Sequence, residues 1–315
     1  MILFKDDFAS RLTITGLVAL TGGCQAASLA AGSANYERTL DRYEQTDTTQ
    51  TDVTNTEHED GRRAALLSAF YGLDDAVSQP ADRLACEGAG GADGMPVIFS
   101  HEVDVTTLDP GDFRITTASG DIGEIVCLTL APADDEGELR TVLLTGAYGS
   151  LEDQPVTVET VGNILSLDNT INFKGLKIDV TPLEDGPSLV WAETVAPRDW
   201  DLGGAGTSFG WGGGSKCPIG TAQIVRVAWG GGITKPGGAP AGDAERQLYQ
   251  VTVRTSDGTQ AQITPFALAD LNDRDNNHLL CLDTLDKAVS VSFPAGHVTD
   301  PREDLNPASS VMLAH

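Results

Sequence analysis

The sequence predicts an all-β fold of two β-sandwich units, preceded by one helix and a disordered tether. Short strand-length runs such as Val97-Ile98-Phe99 and Val289-Ser290-Val291-Ser292-Phe293 recur from residue 92 onward, separated by turn-rich segments. The chain carries 35 Gly and 15 Pro in 315 residues, which punctuate strands and discourage long helices. A hydrophobic fraction of 40% at this length suffices for two modest cores.

The first element is an export signal over residues 1–23. Residues 12–20 form an apolar run of signal-peptide length, too short to span a bilayer. The run ends in Leu20-Thr21-Gly22-Gly23-Cys24, which resembles the lipobox of bacterial lipoproteins. The resemblance implies cleavage before Cys24 and a lipid on its thiol; plain secretion with cleavage near Ala26 or Ala27 is the alternative. The match is imperfect, since Thr21 stands where Leu is usual and Asp6 and Asp7 cancel Lys5 and Arg11. The membrane is then reached only through that N-terminal anchor. The expected place is the cell envelope or the extracellular space, on a bacterial outer membrane or in a periplasm.

Residues 24–60 read as an acidic tether. Between 36 and 60 there are seven Thr, eight acids and two bases, against four apolar residues. Such a segment buries too little surface to offset its ordering entropy. Residues 61–80 read as a helix, because Leu66, Phe70, Leu73 and Val77 fall on one helical stripe, with Asp60 as cap and Pro80 as stop.

Strand runs then fill 81–182, the first β unit. Within it, Val97-Ile98-Phe99-Ser100-His101-Glu102-Val103-Asp104 continues through Leu108-Asp109-Pro110-Gly111-Asp112-Phe113-Arg114-Ile115. This resembles the opening of the bacterial Ig-like domain of the S-layer (SbsA-like) type. The resemblance covers about a third of the chain and implies a structural or adhesive module, with no catalytic residue. Residues 183–315 make the second unit, entered through a Gly- and Trp-rich segment.

Five cysteines fit an oxidising compartment. With Cys24 set aside, four remain, which allow three connectivities. Cys86–Cys127 and Cys217–Cys281 are favoured, because each pair closes a loop within one unit. No two of them lie at CxxC spacing, so zinc is disfavoured.

The net charge of −26 excludes a generic nucleic-acid surface. Asp outnumbers Glu 31 to 15 and Arg outnumbers Lys 14 to 6, a surface that resists association in salt or binds cations. The candidate metal residues are Asp273 and Asp275 in Asp270-Leu271-Asn272-Asp273-Arg274-Asp275-Asn276-Asn277-His278, with Asp283, Asp300 and Asp304. Alternating Asp and Asn oxygens suit calcium. The competing explanation is a solvated turn loop.

Gly206-Thr207-Ser208-Phe209-Gly210 has the nucleophile-elbow spacing, followed by Asp283 and His297. Glycine-rich flanks supply neither the strand nor the helix that the elbow needs, which disfavours a hydrolase. Four tryptophans lie within 191–229, and Trp200 and Trp211 would line a sugar or apolar ligand site if the units leave a cleft. A filled seam between the units is the favoured alternative. The function expected is a non-enzymatic envelope lipoprotein with an envelope protein or glycan partner. The competing class is a secreted enzyme or small-ligand binder with its site between the units.

Overall fold

A computed structural model describes residues 44–84, 86–200, 202–203 and 214–314. The signal peptide, Cys24, the tether up to residue 43, Trp211 and the 206–210 elbow sequence lie outside the described residues. The regular secondary structure is almost wholly antiparallel strand, with helical segments of three or four residues. Among the described residues no helix is long and apolar enough to cross a membrane.

The first sandwich comprises β1 (Leu66–Ala69), β2 (Asp93–Phe99), β3 (Phe113–Thr117), β4 (Glu124–Thr129), β5 (Thr141–Ala147), β6 (Pro155–Thr160) and β7 (Lys177–Asp179). One sheet has the order β1-β2-β5-β4 and the other β3-β6-β7. Inward residues of both sheets, among them Met95, Val97, Phe99, Ile115, Leu144 and Val158, form one core closed by Ile164, Ile171 and Phe173. Phe99 stands edge-on to Phe113 and Phe173, with ring centroids 6.3 and 4.9 Å away.

The second sandwich comprises β8 (Leu189–Thr194), β9 (Gln223–Trp229), β10 (Gln250–Arg254), β11 (Gln260–Ile263), β12 (Ala267–Ala269), β13 (Asn277–Leu282), β14 (Lys287–Phe293) and β15 (Ser309–Met312). Its sheets run β12-β13-β9-β8 and β11-β10-β14-β15. Trp229, Tyr249 and Phe293 centre its core. The two disulfides are Cys86–Cys127 and Cys217–Cys281, with Cα atoms 6.3 and 5.7 Å apart.

Two expectations are corrected. Residues 61–80 are not a helix: Leu66–Ala69 is strand β1, paired antiparallel with β2. Tyr71 N–H donates to the Thr181 carbonyl at 3.1 Å, and Thr181 N–H returns to Ala69 at 2.8 Å. The helical stripe loses because neighbouring strands offer backbone partners on both sides and a core for Leu66, Ala69 and Tyr71. Asp60 caps a turn instead, accepting from Arg62 N–H at 2.8 Å. Residues 44–60 are not a free tether either. Thr46 N–H donates to Thr106 at 2.7 Å, and Asn172 donates its backbone N–H to Asn55 and its Nδ2 to Val53. A polar segment with no core of its own is held here by hydrogen bonds to the sandwich.

The sandwiches meet through the β1-β2-β5 sheet and the β8-β9-β13 sheet. A Cβ on Gly231 would collide with the Phe70 ring. The Arg140 guanidinium stacks 3.6 Å over Trp191. Strand β9 is buried along its full length because both faces are covered. Arg226, which period-two alternation turns away from the Val225 and Val227 core, therefore points into the seam rather than to solvent.

Candidate metal centre

The 270–276 loop links β12 to β13. Asp270, Asn272 and Arg274 take positive φ, so the backbone curls in alternate steps. Asp and Asn tolerate this region because their side chains bond locally. Asp275 closes the curl: its Oδ1 accepts Asn277 N–H and its Oδ2 accepts Asn277 Nδ2, both at 2.9 Å. The curl presses Asp270, Asp273 and Asp275 inward, each at most 8% exposed.

Opposite them lies the β4–β5 connection of the first sandwich. Glu138, Asp270 and Asp275 each place a carboxylate oxygen within 4.8 Å of the others, and so do Asp135, Asp270 and Asp273. Arg226 anchors the connection, donating Nη1 to Gly137 O at 2.6 Å and Nη2 to Glu136 O at 3.2 Å. Its Nε is 4.0 Å from Glu138 Oε1. Thr141 Oγ1 reaches Asn276 Oδ1 at 3.3 Å across the same seam. Gly214 covers the cluster, where a Cβ would run into Asp270 and Asp273.

Burial, followed by the charges of Asp275 and Asp270, pushes the Glu138 carboxyl well above its usual range. Burial raises Asp270 as well, and burial with the Asp273 charge raises Asp275 well above a normal Asp. For Asp273, burial and then the Asp270 charge bring it up to about 7. Asp270 Oδ2, Asp273 Oδ2 and Asn277 Oδ1 are buried and find no hydrogen-bond partner among the described residues. Buried oxygens held close and without a hydrogen-bond partner are costly unless a proton or cation satisfies them.

A cavity of about 390 Å³ adjoins the cluster, lined by Asp270, Asp273, Asp275, Asn277 and Asp300 among others. Asp300 is 1% exposed; its Oδ1 caps Arg302 and Asp304 N–H, and its Oδ2 is also unpartnered. Of the five expected metal residues, the structure thus brings Asp273, Asp275 and Asp300 to one cavity. Asp304 sits beside Arg302 at 3.4 Å and does not line it. Asp283 is exposed past the far end of β13. Asp270 opens the loop read as the metal candidate but was not among its expected ligands, and Glu138 and Asp135 were not singled out from sequence. The acid-rich run Asp134-Asp135-Glu136-Gly137-Glu138 was the available signal, but its meeting with a loop about 130 residues away is a tertiary fact.

The other candidates separate. Trp200 packs over the Cys217–Cys281 cluster and donates Nε1 to Val195 O at 3.0 Å. Trp191 and Trp229 are buried. His278 lies in the second core with Nδ1 2.8 Å from the Tyr249 hydroxyl, and burial lowers it to about 3, a neutral structural imidazole. His297 and Asp283 are exposed.

No family model matches the chain, and no curated protein does. Among solved structures it is similar to the N-terminal part of the bacterial S-layer protein SbsC, at 11% identity and a TM-score of 0.25, over 80% of this chain and 44% of that one. It is also similar to domains 1–6 of the surface layer protein SbsC, at 14% identity and a TM-score of 0.26, over 74% of this chain and 42% of that one. The chain therefore spans less than half the length of either structure.

Proposed function

We propose that this chain is an exported, structural module of a bacterial cell surface whose two β-sandwiches are locked together by a calcium ion. The carrying observation is the buried carboxylate cluster shared by Glu138 of one sandwich and Asp270, Asp273 and Asp275 of the other, with oxygens left unpaired. The carboxylates of Asp135, Glu138, Asp270, Asp273 and Asp275 outnumber the nearby guanidiniums of Arg226 and Arg274 and form an all-oxygen, anionic donor set, which suits a hard divalent cation. Export is supported by the two disulfides, which persist in oxidising compartments. A structural role is supported by the contacts that join the sandwiches, the Arg140 guanidinium over Trp191 and the Phe70 ring against Gly231.

Calorimetric titration of the metal-free protein tests the lock. Calcium binds at one site, with a Kd in the range of about 0.1–1 mM expected of extracellular modules. Glu138→Gln weakens it at least about tenfold, and Asp135→Asn with Glu138→Gln removes both carboxylates that the first sandwich offers. Equal binding by wild type and that double variant would overturn a cation shared across the seam. An N-terminal lipid on Cys24 completes the proposal, as the surface anchor. Mass spectrometry of the mature protein should find Cys24 first and acylated; an unmodified Cys24 inside a longer or shorter chain removes the anchor.

A further inference from the structure

Three segments converge at the edge of the first sandwich, away from the acidic cluster. The turn 57–63 is closed by a bridge between Glu57 and Arg63, with His58 N–H donating to Arg62 O at 2.9 Å. His101 follows the end of β2, and Asp168 sits in the 166–170 turn. They surround a cleft of about 320 Å³ that Arg62, Glu102 and Arg140 also line.

The hydrogen bonds set the two imidazoles. His58 Nε2 is 2.7 Å from Asp168 Oδ2, so this nitrogen carries the proton of the neutral ring. Nδ1 is then a lone pair that accepts Asp60 N–H at 3.3 Å and lies 3.2 Å from Asp60 Oδ1, and an ion there would take the place of that N–H. On the other side, Ser100 Oγ accepts Ala65 N–H at 3.0 Å, donates to Arg63 O at 3.2 Å, and lies 2.9 Å from His101 Nδ1. Ser100 has one hydroxyl hydrogen for two acceptors: on the Arg63 carbonyl it leaves Nδ1 as the donor and Nε2 bare, the tautomer a metal-bound His101 requires, and on Nδ1 it leaves the proton on Nε2. His101 is 6% exposed, and its Nε2 finds no hydrogen-bond partner among the described residues. That nitrogen faces Asp60 Oδ2 at 3.6 Å, an oxygen that also accepts Arg62 Nε at 2.6 Å. A bare Nε2 facing this carboxylate is repulsive, and a cation between the two relieves it.

We propose that His58 Nδ1, Asp60 and His101 Nε2 bind one divalent transition-metal ion of the zinc class. One donor atom from each residue lies within 4.8 Å of the others, the spacing of ligands around a single ion. Two imidazoles and a carboxylate select zinc-like ions over calcium. Asp168 on His58 and Ser100 on His101 are the outer partners that orient metal-bound imidazoles.

The test is independent of the calcium site, which has other ligands. Full-length protein stripped with chelator is titrated at pH 8 with zinc, and with cobalt(II) as a visible probe, in excess calcium to saturate the acidic cluster. One equivalent binds, cobalt shows ligand-field bands, and Asp168→Asn weakens binding about 10–100-fold. His58→Gln and His101→Gln lose the site. Should His101→Gln fail to fold, His58→Gln, in a surface turn, gives the reading. Zinc uptake absent from wild type, or unchanged in His58→Gln, overturns the proposal; the turn is then held by a proton that His58 shares with Asp60 and Asp168.

Discussion

In calcium at a hundredfold excess over Kd, the protein melts about 5–10 °C higher than in chelator at matched ionic strength, and the gain vanishes at pH 5. A ligand that binds only the folded state adds RT ln(1 + [L]/Kd), about 2.7 kcal/mol at that excess. A domain of this size gains roughly 2–4 °C per kcal/mol. The pH dependence follows from the raised carboxyls. Glu138, Asp270, Asp273 and Asp275 keep protons in the folded state that the unfolded chain has already released. Without metal, their contribution is full below their ordinary values and is lost as pH rises through the folded value, about 7 for Asp273. Calcium replaces the departing protons, so its effect grows over the same range. Sodium separates the site from screening of the −26 charge. Thermal melts from pH 5 to 8 on wild type and on the Asp273→Asn, Asp275→Asn double variant decide the matter. A calcium response that is independent of pH, or equal in the double variant, removes the site.

Arg226→Ala costs about 3–5 kcal/mol, the usual loss when one partner of a buried ionic arrangement is deleted. The guanidinium is 8% exposed and bridges from β9 to the Glu136 and Gly137 carbonyls of the other sandwich. Its removal leaves two carbonyls without their donors and takes away a cation 4.0 Å from Glu138. Arg226→Lys recovers less than half, because a single ammonium lacks the planar fork that serves two acceptors. Denaturant unfolding of the three proteins measures this. A loss below about 1 kcal/mol for Arg226→Ala would mean that the fork does not hold the seam.

Local pattern made much of the fold legible. Runs such as Gln223–Trp229 and Lys287–Phe293 are strands because β-branched and aromatic residues recur there between turn signals. The cysteine pairing was legible because each favoured pair closes a loop between runs that fold together. Leu66–Ala69 was misread because a stripe at helical spacing says nothing of the strand edge waiting beside it. The 44–60 segment was misread because composition counts apolar surface, and its backbone is held instead by polar partners more than fifty residues away.

At the site, the sequence by itself determined that acids at 273 and 275 share one loop, and that a neighbouring loop carries Asp300. Only the tertiary structure decided that Glu138 faces them across a seam, that Asp283 points elsewhere, and that His101 ends buried beside His58. Charge and spacing are properties of a segment. Burial is a property of what packs against it, and burial turns an ordinary surface carboxylate into one that must share a proton or hold a cation.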